Sequence, residues 1–307
     1  MLDLSILGVT MRMAAPILLA GTGTLYNDRA GVTNITLEGS MLLGGFFAVA
    51  CSYFTGSWVL ATLAGIGTGV IISLVFHFLT SVCGGDELVV GFSMNILLDG
   101  LSIFLLKQIF HQSGSLVDDR IVGMPQISSE ALESIPVLGT IFNGQTWIVF
   151  FTFFFALLTW VILYRTPFGL KVLACGEKPQ AAATVGIKVL HIRFLCNMIS
   201  GAMCGLAGVQ ISLGFLSLFT QGMTVGRGFI ALAAVIFSKG NPLRLIAITL
   251  FFGFAEAVSN RVQLMQFPSE LVLMLPYLAV VVLTFVRFDR LKKMRIKKSS
   301  SEQLAEK

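Results

Sequence analysis

Between Glu38 and Asp86 the chain carries no charged residue. About 20 apolar residues cross a hydrocarbon core of roughly 30 Å, so this one stretch is long enough for two passages. Runs of the same kind recur along the sequence. With 55% hydrophobic and 12% charged residues and a mean hydropathy of +0.87, the chain holds more apolar surface than one water-soluble globule can bury. The fold class is an all-α polytopic membrane protein of about nine transmembrane helices, with eight to ten as the range.

The expected spans lie near Leu7 to Leu25, Ile35 to Phe54, Trp58 to Val82, Leu88 to Phe110, Trp147 to Tyr164, Ile192 to Phe215, Gly228 to Phe237, Leu243 to Val258 and Leu271 to Val286. The run from Gly228 is too short to cross untilted, and Gly and Pro break several others, so short or broken helices are expected. Residues 1–307 are read as one transmembrane domain with an outer loop over 108–146, an inner loop over 165–191 and a basic tail over 287–307. No basic segment precedes the first apolar run and Asp3 stands there instead, so that run is read as a retained helix.

Basic residues collect on the cytoplasmic side. Arg165, Lys171, Lys178, Lys188 and Arg193 stand in one connection, Lys239 and Arg244 in the next, and eight more from Arg287 onward. With an odd number of spans, these connections and the C-terminus face the cytoplasm and the N-terminus faces out. The loop from Gln112 to Thr146 carries Asp118, Asp119, Glu130 and Glu133 against Arg120 and is then external. The basic tail reads as an anchor attracted to anionic headgroups, not as a nucleic-acid arm.

Absent motifs narrow the chemistry. There is no G-x-x-x-x-G-K-[ST], no H-E-x-x-H and no G-x-S-x-G, and no polar segment long enough for a nucleotide-binding domain. The five cysteines form no C-x-x-C pair and the three histidines have no ligand spacing, so neither disulfide, metal nor cofactor is expected. A polytopic bundle without catalytic groups reads as a conduit and not as an enzyme.

The stretch from Tyr164 to Ile187 is the longest inner connection before the tail. Thr166 can cap, Pro167 suits the first helical position, Gly176 stands where a helix would end, and Pro179 opens a second short run closed by Gly186. Phe168, Val172 and Cys175 recur at helical spacing. Such an apolar ridge either sits in a groove on a soluble partner or lies on the lipid surface.

Three stretches resemble the permease subunits of ABC importers for simple sugars, nucleosides and branched-chain amino acids. They are AGVTNITLEGSMLLGGFFA (Ala30 to Ala48), TPFGLKVLACGEKPQAAATVGI (Thr166 to Ile187) and MTVGRGFIALAAVIFSKGNPLRLI (Met223 to Ile246). The Glu38–Gly39 pair is typical of the nucleoside and sugar branch, while Lys178 and Arg227 depart from the family pattern. The resemblance implies a type II importer-like fold in a bacterial inner membrane. It implies as partners a separate ATPase subunit, a second permease subunit and an extracytoplasmic solute-binding protein. It assigns ATPase coupling to Pro167, Phe168, Gly169, Leu170, Gly176, Glu177, Pro179, Ala182 and Gly186. A nucleoside-type solute comes first, with ribose-type sugars, riboflavin-like compounds and amino acids as alternatives.

Ionisable and amide groups inside spans are functional candidates by default. Asn95 and Asp99 lie one turn apart in the fourth span, Asn197 and Gln210 in the sixth, and Glu256 in the eighth. Arg12 is placed to pair with one of these acids. Interhelical bonding and solute contact both remain open for each. Glu38 falls in the first turn of its helix with Asn34 as the expected cap, where the helix dipole favours a carboxylate. By parity it lies at the cytoplasmic mouth as a gate or subunit contact, with recognition of a sugar hydroxyl or a base as the alternative, and Gly39, Gly226 and Gly228 admit close backbone approach. A reading of another class is an ion-coupled secondary transporter that uses Asp99 or Glu256 as a relay.

Overall fold

The computed structural model describes residues 5–127 and 143–263. Ten helices occur there: α1 (Ser5–Arg29), α2 (Leu37–Thr55), α3 (Trp58–His77), α4 (Glu87–Phe110), α5 (Trp147–Arg165), α6 (Pro167–Glu177), α7 (Pro179–Thr184), α8 (Val189–Val209), α9 (Arg227–Ser238) and α10 (Pro242–Gln263). Seven of them, α1 to α5, α8 and α10, are long and apolar enough to cross a membrane, and α9 is a shorter apolar helix. Eight of the expected runs are therefore helical. The ninth, Leu271 to Val286, and the basic tail lie outside the described residues, as do Glu130 and Glu133. The chain divides into two compact units, residues 1–254 and residues from 255 onward. The second is described only through the last turns of α10.

Helix α8 is the axis of the first unit, and α1, α2 and α3 pack around it. Lipid tails are as apolar as leucine, so close van der Waals contact decides which helices associate. Small residues supply that contact. Gly65 and Gly69 of α3 face Gly201 and Gly205 of α8, and Gly44 of α2 meets Gly205 from another side; a methyl group at Gly44, Gly69, Gly201 or Gly205 would strike backbone, and one at Gly65 the Val209 side chain. Among the largest fully buried side chains are Tyr26, Phe46, Phe76, Phe219 and Phe252.

One end of the bundle is tied by short strand pairs. β1 (Ser115–Leu116) pairs antiparallel with β4 (Phe219–Thr220), and β2 (Gln126–Ile127) with β3 (Gln145–Thr146). Helix α8 ends there in a π-helical segment, Gln210–Leu216, whose Leu213 carbonyl accepts from the Met124 N–H. Arg12 closes this end by donating to the Gly144 carbonyl at 2.7 Å and to Gln145. It thus serves the bundle end and not an intramembrane acid as expected. At the opposite end Asp86 caps α4 through the N–H groups of Leu88 and Val89, and the α6–α7 pair connects α5 to α8.

Candidate functional site

Helix α2 does not begin where α1 ends. After Arg29 the chain turns back into the bundle, and Asn34 donates to Ser200 Oγ at 3.4 Å, which is itself 3.3 Å from Thr24 Oγ. Ser200 lies eleven residues past the start of α8, about 16 Å at 1.5 Å per residue. The start of α2 is therefore inside the bundle. This corrects the placement of Glu38 at a mouth: the re-entrant segment 30–36 carries it inward.

A second helix begins at the same place. The chain descends from β4 through a set of turns, and α9 starts at Arg227 with Gly226 in the left-handed conformation, φ 73°. Thr224 Oγ and the Gly226 N–H, at 2.8 Å, both donate to Glu38 Oε1, while the Gly228 N–H donates to Oε2 at 2.7 Å. Each helix leaves its first four N–H groups unpaired and presents a partial positive charge there. Glu38 thus belongs to the first turn of α2 and caps the first turn of α9. Gly228 is obligatory in this contact, because a Cβ would meet the Glu38 backbone nitrogen and Cα. Both carboxylate oxygens are engaged, so the arrangement fastens two helix ends.

The cap of α2 comes from α4. Asn95 Oδ1 accepts from the Gly39 N–H at 2.9 Å and Asn95 Nδ2 donates to the Ile35 carbonyl at 2.8 Å. Gly39 has no room for a side chain beside Leu98 and Asn95. Asn34, the expected cap, instead accepts from the N–H and hydroxyl of Thr36, a local turn that sets the entry angle. Asp99, one turn beyond Asn95, is exposed on the first unit, so the two neighbours in sequence face different surroundings.

Asn197 belongs to another group. It is fully buried, accepts from Asn27 Nδ2 at 3.1 Å, and its amide lies 3.2 Å from His77 Nδ1, which also meets Ser81 Oγ at 3.2 Å. This polar chain joins α1, α8 and α3. Gln210 accepts from Thr146 Oγ at 2.8 Å and ties β3 to α8. Glu256 is buried and lies in the second unit, on the last turns of α10.

The α6–α7 pair forms as the sequence predicts at its ends. Thr166 Oγ accepts from the Gly169 N–H, Pro167 and Pro179 occupy first helical positions, and Gly186 turns the chain at φ 84°. Its apolar ridge turns inward. Val172 and Cys175 are fully buried and Ala182 nearly so, while Phe168 lines an apolar cavity together with Tyr26, Ile162 and Met198. Gly176 does not end the helix, which runs on to Glu177; it abuts Arg29 and Gly31, where a Cβ would strike the Arg29 carbonyl. Arg29 in turn donates to the carbonyls of Lys239 and Gly240, at 3.1 and 2.9 Å, just past α9. Of the residues expected to couple to the ATPase, Pro167, Leu170, Glu177, Pro179 and Gly186 are exposed on the pair. Leu170 and Val185 are the most exposed large apolar groups on it, at 62% and 76%.

Sequence reasoning singled out Glu38, Gly226 and Gly228 but did not join them. It missed Thr224, which completes the clasp, Arg29, which links α1 to α9, and the G-x-x-x-G pairs of α3 and α8. The spacing of those glycines within apolar runs was the available signal.

Residues 5–284 match the family described as branched-chain amino acid transport system / permease component. Among curated proteins the chain is 35% identical to the guanosine ABC transporter permease protein NupQ of Bacillus subtilis, covering 90% of each. It is 33% identical to the putative glucose ABC transporter permease protein TsgC13 of Haloferax volcanii, covering 84% of this chain and 78% of that one. It is 31% identical to the nucleoside ABC transporter permease protein NupC of Lactococcus lactis, over 88% and 87%. No solved structure matches the chain. A match over nearly its whole length, together with these relatives, places the chain in the family of permease components of branched-chain amino acid transport systems.

Proposed function

We propose that this chain is the membrane-spanning permease subunit of an ABC importer for nucleosides, driven by a separate ATPase subunit and fed by an extracytoplasmic solute-binding protein. A second permease subunit completes the path. In this reading the α6–α7 pair and the C-terminus face the cytoplasm, and the strand-tied end faces out. Two relatives bearing guanosine and nucleoside names at 35% and 31% identity support the solute class, and a glucose permease name at 33% keeps sugars as the alternative.

The observation that carries the reading is the seat of the α6–α7 pair. Its inner face is locked to the bundle by Val172, Cys175 and Gly176 while its outer face is left open. A partner that moves this surface acts on Arg29 and Gly31 through backbone contact, because no flexible side chain intervenes at Gly176. From there the chain runs through the re-entrant segment to Glu38 and α9. The mechanism is then mechanical: ATP-driven movement of the partner shifts α6, the shift reaches the joined ends of α2 and α9, and the path opens to one side or the other.

The test is ATP-driven guanosine uptake by the whole complex in proteoliposomes, comparing wild type with Leu170→Glu and Val185→Glu. Both side chains are exposed, so the melting temperature is expected to stay within about 2 °C while uptake falls at least tenfold. Receptor affinity for guanosine should not change. Unaltered uptake in both variants, or uptake driven by a pH gradient with this chain alone, defeats the proposal.

A further inference from the structure

Helix α4 has an exposed face that is apolar at Ile96 and Ile103 but carries a carboxylate near its centre. Asp99 is the thirteenth residue of a 24-residue span, exposed and with no side-chain partner among the described residues. Gly100 beside it opens onto free space, with nothing within 4 Å of a Cβ placed there. A carboxylate at the centre of a span is too costly to point at hydrocarbon and belongs against water or protein.

Seven residues earlier, on the same side of the helix, stands Phe92, 52% exposed and stacked on Phe229 of α9 with ring centroids 6.4 Å apart. Phe229 directly follows Gly228, so the Glu38 clasp fixes the second ring. Two helical turns separate Phe92 from Asp99, about 10 Å. An aromatic face at one end and an acceptor-only carboxylate at the other match a heterocycle joined to a sugar diol. The π-face of a base stacks on phenylalanine, and two vicinal hydroxyls donate to the two oxygens of a carboxylate.

We infer that the exposed face of α4 lines the translocation path and forms a transient nucleoside station, with Phe92 and Phe229 receiving the base and Asp99 the ribose hydroxyls. This rests on the nucleoside reading above and adds which groups handle the solute inside the membrane. The occupant is the solute itself. Lipid and a second permease subunit are the occupants the experiment must exclude.

The experiment places Gly100→Cys in the full complex with Cys51 and Cys83 changed to serine, and follows its reaction with a charged, membrane-impermeant thiol reagent. The expected result is ready modification that guanosine slows at least fivefold. Adding Asp99→Asn should leave the melting temperature of the complex within about 2 °C, which certifies the fold, and raise the guanosine concentration needed for protection at least tenfold. In the same complex with native Gly100, Asp99→Asn should lower ATP-driven guanosine uptake at least tenfold with receptor affinity intact. Modification only by a membrane-permeant reagent places lipid on this face, and no modification by either places another subunit there; each overturns the inference. So does labelling that guanosine never slows, or protection that survives Asp99→Asn. A wild-type complex that carries no guanosine instead brings down the nucleoside reading itself, and the two failures are told apart by that uptake assay.

Discussion

Glu38 and Asp99 are both carboxylates inside membrane-length helices, and the bundle treats them in opposite ways. Glu38 sits between two helix N-termini with a hydroxyl and two backbone N–H groups donating to it. Asp99 stands one turn past the residue that caps α2 and has no side-chain partner among the described residues. The difference teaches how to sort charged groups in such a bundle. Membership of a span makes a carboxylate a candidate, and the donors already spent on it separate a structural clasp from a group still open to other partners.

The largest effect that would break this contrast is on stability. Glu38→Ala leaves the Gly226 and Gly228 N–H groups and the Thr224 hydroxyl without their acceptor, at a cost of about 2–4 kcal/mol. Asp99→Ala removes a group that holds nothing and should change stability by no more than about 0.5 kcal/mol. Thermal unfolding of the detergent-solubilised complex compares them. Equal losses for the two would abolish the distinction.

The same contrast holds for the glycines beside the two acids. Gly228→Ala drives a methyl group into the Glu38 backbone, which cannot swing aside, and should cost about 1–3 kcal/mol. Gly100→Ala meets open space and improves helix propensity by up to about 1 kcal/mol. Opposite signs in the two melting shifts are expected, and two losses of equal size would show that α4 is packed where it is described as open.

How much of this was legible beforehand follows from the range of the interactions. The standing of the Glu38–Gly39 pair came from the family resemblance, whereas the runs and the loop helices between Thr166 and Gly186 depend on local spacing, so the sequence carried them. The partner of Glu38 did not, since Thr224 lies 186 residues away and hydroxyls in apolar surroundings look alike in one dimension. Depth was misjudged for a similar reason. Parity assigns a helix end to a side, whereas the re-entry of residues 30–36 rests on contacts far apart in sequence, among them Asn95 with Ile35 across 60 residues and Asn34 with Ser200 across 166. The ridge of Phe168, Val172 and Cys175 was visible as a pattern, but a periodic apolar face does not say whether its own bundle or a partner will cover it.

A smaller effect sharpens the capping assignment. Asn95→Ala deprives the start of α2 of an acceptor for the Gly39 N–H and of a donor to the Ile35 carbonyl, both buried, for about 1–2 kcal/mol. Asn34→Ala loses only a local turn and a long 3.4 Å contact and should cost about 0.5–1 kcal/mol. The reverse order in chemical denaturation would return the cap to Asn34.

The smallest effect compares two cysteines at the α6 end of the bundle. Burial pushes the Cys175 thiol above its usual value, and the nearby Arg193 guanidinium opposes this only in part, whereas Cys83 is exposed. A folded-state value raised above the unfolded one of about 8.5 means that the neutral thiol stabilises the seat of α6 fully below that pH. The contribution is lost as pH climbs through the raised folded value, because the unfolded chain releases its proton first. Labelling with a neutral thiol reagent should therefore be slower at buried Cys175 than at exposed Cys83 at every pH. Above about pH 8.5 the Cys175 rate should rise more steeply than its thiolate fraction alone requires, as the seat loosens. Cys175 labelling as fast as Cys83 at neutral pH would mean that α6 stands free of the bundle, and the proposed lever from α6 to Arg29 would then have no fulcrum.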